Sequence, residues 1–103
     1  MLIFDMEWNK TGVILSHHRV YEYRKDIQNN LVCQIGSFPS KEAALGGKNP
    51  VSSFGIVFNN EANPFDFSKL KEKGNTIESI VEKWALENHE TIKQFIDTAK
   101  YEE

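Results

Sequence analysis

Apolar and polar residues alternate near the start of the chain. Leu2, Phe4, Met6 and Trp8 fall on one side of an extended backbone, and Ile3, Asp5 and Glu7 fall on the other. Successive side chains of a strand point to opposite faces, so this spacing predicts a half-buried strand with the first set inward. "NKTG" signals a turn, and "GVILS" is a short apolar run that fits a second, more central strand. In the next stretch Tyr21 and Tyr23 share one face, with Val20, Glu22 and Arg24 on the other; the second and third strands also read as one bent strand. After "DIQNN", Leu31, Cys33 and Ile35 share a face. A loop of residues 28–30 places Tyr23 opposite Ile35, and a loop of residues 26–30 places it opposite Cys33. A two-residue Asn-Asn turn would instead set Arg24 against Ile35. A slip of one residue turns every side chain over, so an odd-length loop is favoured, and with it inward-pointing Tyr21 and Tyr23.

The rest of the chain alternates helix and strand signals. In "FPSKEAALGGKNP", Ser40 is a helix cap, Gly46-Gly47 a left-handed stop and Pro50 a barrier to continuation. Phe54, Ile56 and Phe58 define one face of another strand, and "FDFSKLKEKG" reads as one or two helical turns ended by Gly74. From there Ile77, Ile80, Val81 and Trp84, then Ile92, Phe95, Ile96 and Ala99, recur at threes and fours. Asn75 or Thr76 is the expected cap, with Glu78 reaching back if Asn75 is used. One rod over residues 76–100 would be about 37 Å long, against a radius of gyration of roughly 13 Å for a domain of this size. The preferred reading is therefore a break near Asn88-His89; the alternative is an overhang that meets a partner. The fold class expected is α+β over residues 1–103: an antiparallel sheet of four to five strands, a short helix before the last strand, and C-terminal helices against one face. Residues 1–59 are mostly strand and 64–101 mostly helix.

Composition narrows the partners. The net charge is −3, which argues against a dedicated nucleic-acid binder. Residues 1–48 carry six Lys/Arg against five Asp/Glu, whereas residues 49–103 carry six Lys against ten Asp/Glu, so the second half is acidic at −4. No apolar run approaches the roughly 20 residues of a membrane span, and "MLIFDMEW" lacks the basic leader of a signal peptide. Cys33 is the only cysteine, which makes a reducing cytoplasm the simplest compartment. Ten Lys against two Arg, together with nine Asn, associates with an AT-rich bacterial or mobile-element genome.

Candidate chemistry is sparse. His17 and His18 are neighbours that point to opposite faces of a strand, His89 is remote in sequence, and a metal needs three or four convergent ligands. No metal or cofactor is expected. Cys33, on the Leu31 and Ile35 face, reads as a buried inert thiol. Glu78, Glu82, Glu87, Glu90 and Asp97, interleaved with Lys83 and Lys93, read mostly as a solvated helix face. Gly46-Gly47 follows a helix instead of opening one, unlike a phosphate loop. Arg19, Arg24 and Lys25 beside two tyrosines resemble a stacking platform with phosphate contacts, but on a regular strand Arg24 faces away from the rings.

These readings lead to an expectation of a small intracellular, non-enzymatic domain acting by protein–protein contact, as a regulator, inhibitor or accessory factor. Its partner surface would be the last helix, through Trp84, Asn88, Ile92 and Phe95, toward another protein or a second copy of the chain. The alternative is a nucleic-acid accessory protein that uses Arg19, Arg24, Lys25 and Lys48. No membrane partner is expected.

Overall fold

A computed structural model describes residues 1–103 apart from 48, 60, 95–97 and 103, with residue 91 described by its backbone alone. Five strands, β1 (Leu2–Glu7), β2 (Ile14–Lys25), β3 (Leu31–Phe38), β4 (Ser52–Phe58) and β5 (Lys100–Tyr101), form one antiparallel sheet in the order β4-β3-β2-β1-β5. Helices α1 (Lys41–Leu45), α2 (Ile77–Asn88) and α3 (Glu90–Lys93) and a 3-10 turn (Phe67–Lys71) complete an α+β fold. Among the described residues, no helix is long and apolar enough to cross a membrane.

Local chemistry sets the helix limits. Ser40 Oγ accepts a hydrogen bond from the Ala43 N–H at 3.1 Å, and Gly47 takes the left-handed conformation (φ 73°) after α1. At α2 the cap is Thr76, not Asn75. Thr76 Oγ1 accepts from the Ser79 N–H at 3.1 Å, and Ser79 Oγ accepts from the Thr76 N–H at 2.8 Å. With Thr76 as the cap, Ser79 makes the reciprocal bond that Glu78 would have made had Asn75 been the cap. The predicted break is present, with α2 ending at Asn88 and α3 starting at Glu90. The radius of gyration is 13.8 Å.

Helix does not run on to residue 101. Lys100 and Tyr101 instead pair with Ile3 and Leu2, so α1 precedes the fourth of five strands and not the last. A strand edge presents unpaired N–H and C=O groups, and two extended residues beside β1 satisfy some of them while Tyr101 packs against the core. That core joins Leu2, Phe4, Val20, Leu31, Cys33, Ile35, Ile56 and Phe58 of the sheet to Val81, Ala85 and Ile92 of the helices.

β2 is a single strand, and its pairing explains the largest departure from expectation. The β2–β3 loop is the five-residue one, with Lys25 opposite Leu31 and Tyr23 opposite Cys33. Val20 then pairs with Ile35 and Glu22 with Gln34, which leaves Tyr21 as an extra residue in a bulge. One extra residue reverses the alternation. Val20 lies in the core, and the Tyr21 ring lies over the backbone of Gly36, where an added Cβ would come within 3.0 Å of Tyr21 Cδ1 and 2.7 Å of Pro50 Cβ. Tyr21 and Tyr23 thus occupy opposite faces and are 40 % and 43 % exposed, so the expectation that both point inward is corrected. Just beyond the last β1–β2 pair, Leu2 with His18, the Val20 N–H reaches Glu82 Oε2 of α2 at 3.3 Å. Glu82, read as solvated, is only 3 % exposed, and its Oε1 lies 2.7 Å from the Met1 amino group.

Candidate binding cleft

The segment between β4 and α2 is bent by side chains that bond the backbone. Asn59 Oδ1 accepts from the N–H groups of Glu61 and Ala62 at 2.8 and 3.1 Å, turning the chain as it leaves β4. Asp66 caps the 3-10 turn by accepting from the Ser68 N–H at 3.0 Å and from the Ser68 hydroxyl. These bonds from Ser68 hold the Asp66 carboxyl below its ordinary pKa. Asn75 Nδ2 donates to the Lys69 carbonyl at 3.0 Å, closing the far side.

This framework stands a row of aromatic rings against α2. Phe58, the last residue of β4, meets Phe65 edge-on at 5.4 Å and Trp84 edge-on at 5.0 Å. Phe65 in turn meets Phe67 at 4.7 Å, and the Lys25 ammonium lies 4.7 Å above the Phe67 ring. A cleft of about 430 Å³ opens over Phe58, Phe65 and Trp84, at the lower end of the ~300–1,000 Å³ range of small-ligand pockets. Its rim carries Asp66, Glu72 and Glu87 together with Lys69 and Lys83.

Of the four residues expected at a partner surface, Trp84 is half-buried and lines this cleft. Asn88 is exposed, and its Nδ2 donates to the Trp84 carbonyl at 3.0 Å. Ile92 is fully buried in the chain's own core and offers no surface to a partner. Phe95 lies outside the described residues. Phe58 and Phe65 were read only as parts of a strand and a helical turn. Nothing local in the sequence signals that they converge on Trp84, because the convergence is made by the loop between them.

The basic residues are dispersed. Arg19 pairs opposite Gly36 and Arg24 opposite Val32, on the sheet face that the bulge gives to Tyr21, with Glu22 between them. Lys25, on the other face, is engaged by Phe67. The Arg19 Nε is buried without a hydrogen-bond partner, and Lys48 lies outside the described residues.

The histidines are structural in their contacts. His18 is fully buried, stacked on Phe4 at 3.8 Å with the rings 8° from parallel. Its Nε2 lies 2.8 Å from the Phe4 carbonyl, which fixes the proton there, and Nδ1 accepts from the Ser37 hydroxyl at 2.8 Å. Burial pushes its pKa below 6.5 against the pull of the Phe4 carbonyl, so the ring is neutral. Ser16 Oγ lies 2.7 Å from His17 Nδ1, the spacing of a nucleophile and its base, but neither residue lines the aromatic cleft. Among the described residues, no three of His, Cys, Asp and Glu gather as a metal site requires. Burial raises the Cys33 pKa to about 11. No protein-family model matches the chain, and no curated protein or solved structure matches it.

Proposed function

We propose that this chain is a non-enzymatic binding module that receives a segment of a partner protein in the cleft between the loop after β4 and α2. The observation that carries the reading is an open volume lined by the half-buried Trp84, with the buried rings of Phe58 and Phe65 behind it. Rigid aromatic side chains in a partly desolvated depression supply much of the energy of protein–protein contacts. The residue pairs that most resemble catalytic chemistry, Ser16–His17 and His18–Ser37, lie apart from that volume, which favours binding over reaction. The lone thiol of Cys33 fits a reducing cytoplasm as the place of action.

The test is photo-crosslinking in the source cell, with a benzophenone amino acid placed at Lys69 or Glu87 on the rim and at Lys10 as a distant control. Discrete adducts from the rim positions and none from the control are expected. Adducts from the control alone would overturn the reading. A second copy of the chain is one such partner, and light scattering at high micromolar concentration identifies it by a dimer mass.

The bulge favours one second reading. By bringing Tyr21 onto the face of Arg19 and Arg24, it removes the parity objection to a ring and guanidinium groups meeting a nucleic acid together. Binding of single-stranded or duplex probes in about 50 mM salt, weakening steeply as salt rises, is what this reading requires. Absence of binding to either probe rules it out.

A further inference from the structure

We propose that the cleft over Phe58, Phe65 and Trp84 recognises a guanidinium group, so that the partner segment presents an arginine side chain to it; this rests on the binding reading above.

The floor and the rim make different demands. A purely aliphatic anchor would cover Trp84 and strip water from the Glu87 carboxylate and from the Glu72 oxygen that Asn75 does not hold, without pairing them, which is costly. An anionic group would meet three carboxylates. A guanidinium meets both demands: it is planar and weakly hydrated, it stacks on aromatic faces, and its edge donates two parallel hydrogen bonds to a carboxylate. Two lysines share the rim, but the Lys83 ammonium is held 5.0 Å over the Tyr101 ring, which leaves Lys69 as the cation not engaged by a ring. The rim is therefore acidic on balance, in line with the charge of −4 over residues 49–103.

A second observation comes from the same row of rings. Phe67, edge-on to Phe65, already carries a cation of the chain itself, the Lys25 ammonium 4.7 Å above its face. The cluster thus satisfies the outermost ring internally; of the inner rings Phe58 and Phe65 are only 3 % and 8 % exposed, so the half-buried Trp84, which lines the cleft with Glu72 and Glu87, is the one open to a cation from outside.

The experiment is an amide-resolved NMR titration of the full chain with N-acetyl-arginine amide, N-acetyl-lysine amide and N-acetyl-leucine amide. The arginine derivative is expected to move the Trp84 indole N–H and the backbone signals of Lys69 and Glu87 saturably in the millimolar range, less so as salt is added. The double variant Glu72→Gln/Glu87→Gln, which keeps shape and hydrogen-bonding atoms, should weaken that binding about three- to tenfold with an otherwise unchanged spectrum. Equal response to the lysine derivative, or response to leucine amide alone, overturns the arginine assignment and leaves a binding cleft. No response to any of the three also overturns it, while the crosslinking result independently decides whether the cleft is used at all.

Discussion

The imidazole of His89 lies 4.9 Å from the ring of Phe54, tilted by 42°, and hydrogen-bonds the backbone of Gly55. His89 is the residue at which α2 ends, and β4 is an outer strand of the sheet. The helix break thus lays a polar ring along an edge that would otherwise be open for pairing with another chain. Replacing His89 by Ala should cost about 1 kcal/mol, the net worth of one hydrogen bond, and raise concentration-dependent association. Urea unfolding and light scattering read the two effects. An unchanged midpoint in a monodisperse sample would show that the ring does not guard the edge.

Acid should weaken the fold through two imidazoles. Burial is the main cause that lowers the pKa of both His18 and His89 below 6.5. The unfolded chain therefore takes up protons first as pH falls through 6.5, and stability drops from there down to the folded-state values, with no further loss from these groups below them. Urea midpoints at about pH 7.5 and about pH 5 measure the slope. In His18→Gln the loss of stacking and of well-placed hydrogen bonds should cost about 2–4 kcal/mol at the higher pH. Its acid slope should be shallower, with only His89 left of the pair. An equal slope in both proteins would mean that His18 takes up its proton as readily folded as unfolded.

Glu82 accepts from the Val20 N–H of β2 and faces the Met1 amino group, so its removal should be felt far beyond one side chain's area. Glu82→Ala leaves the Val20 N–H without its buried acceptor, and a loss of about 2–4 kcal/mol is expected. Glu82→Gln retains an acceptor oxygen and should recover part of that loss. Thermal unfolding of the two variants decides it; equal melting temperatures would remove the acceptor role.

Cys33 should be unreactive while the chain is folded. With the thiol fully buried and its pKa raised to about 11, labelling by an aromatic disulfide near neutral pH is expected to wait for unfolding and to accelerate sharply across the urea transition. Rapid labelling in buffer alone would contradict the burial.

Elements governed by near neighbours were legible in the sequence. Ser40 capping α1, the break beside His89, the shared face of Leu31, Cys33 and Ile35, and the odd length of the loop before Leu31 each follow from spacing over a few positions; that the loop has five residues and not three is decided by the pairing. The misreadings share one cause, which is tertiary placement. Alternation along 20–24 assumed an unbroken ladder, and the bulge at Tyr21 is visible only in how β2 meets β3. His18 gave no sign of its burial because its partners, Phe4 and Ser37, come from two other strands. Glu82 fitted a solvated helix face until a backbone N–H of β2 claimed it. The cleft escaped notice for the same reason: Phe58, Phe65 and Trp84 are assembled by a loop whose path no periodicity encodes.

Strand order also sets the order of assembly. β2 meets β3, β3 meets β4 and β1 meets β2 across short separations, whereas Leu2 finds Tyr101 only from the opposite extreme of the sequence. Loop-closure entropy delays contacts of that kind until the rest has condensed. The β1–β5 rung is therefore the last to zip and the first to fray, and in native-state hydrogen exchange its amides should lose protection well before those of the β2–β3 hairpin.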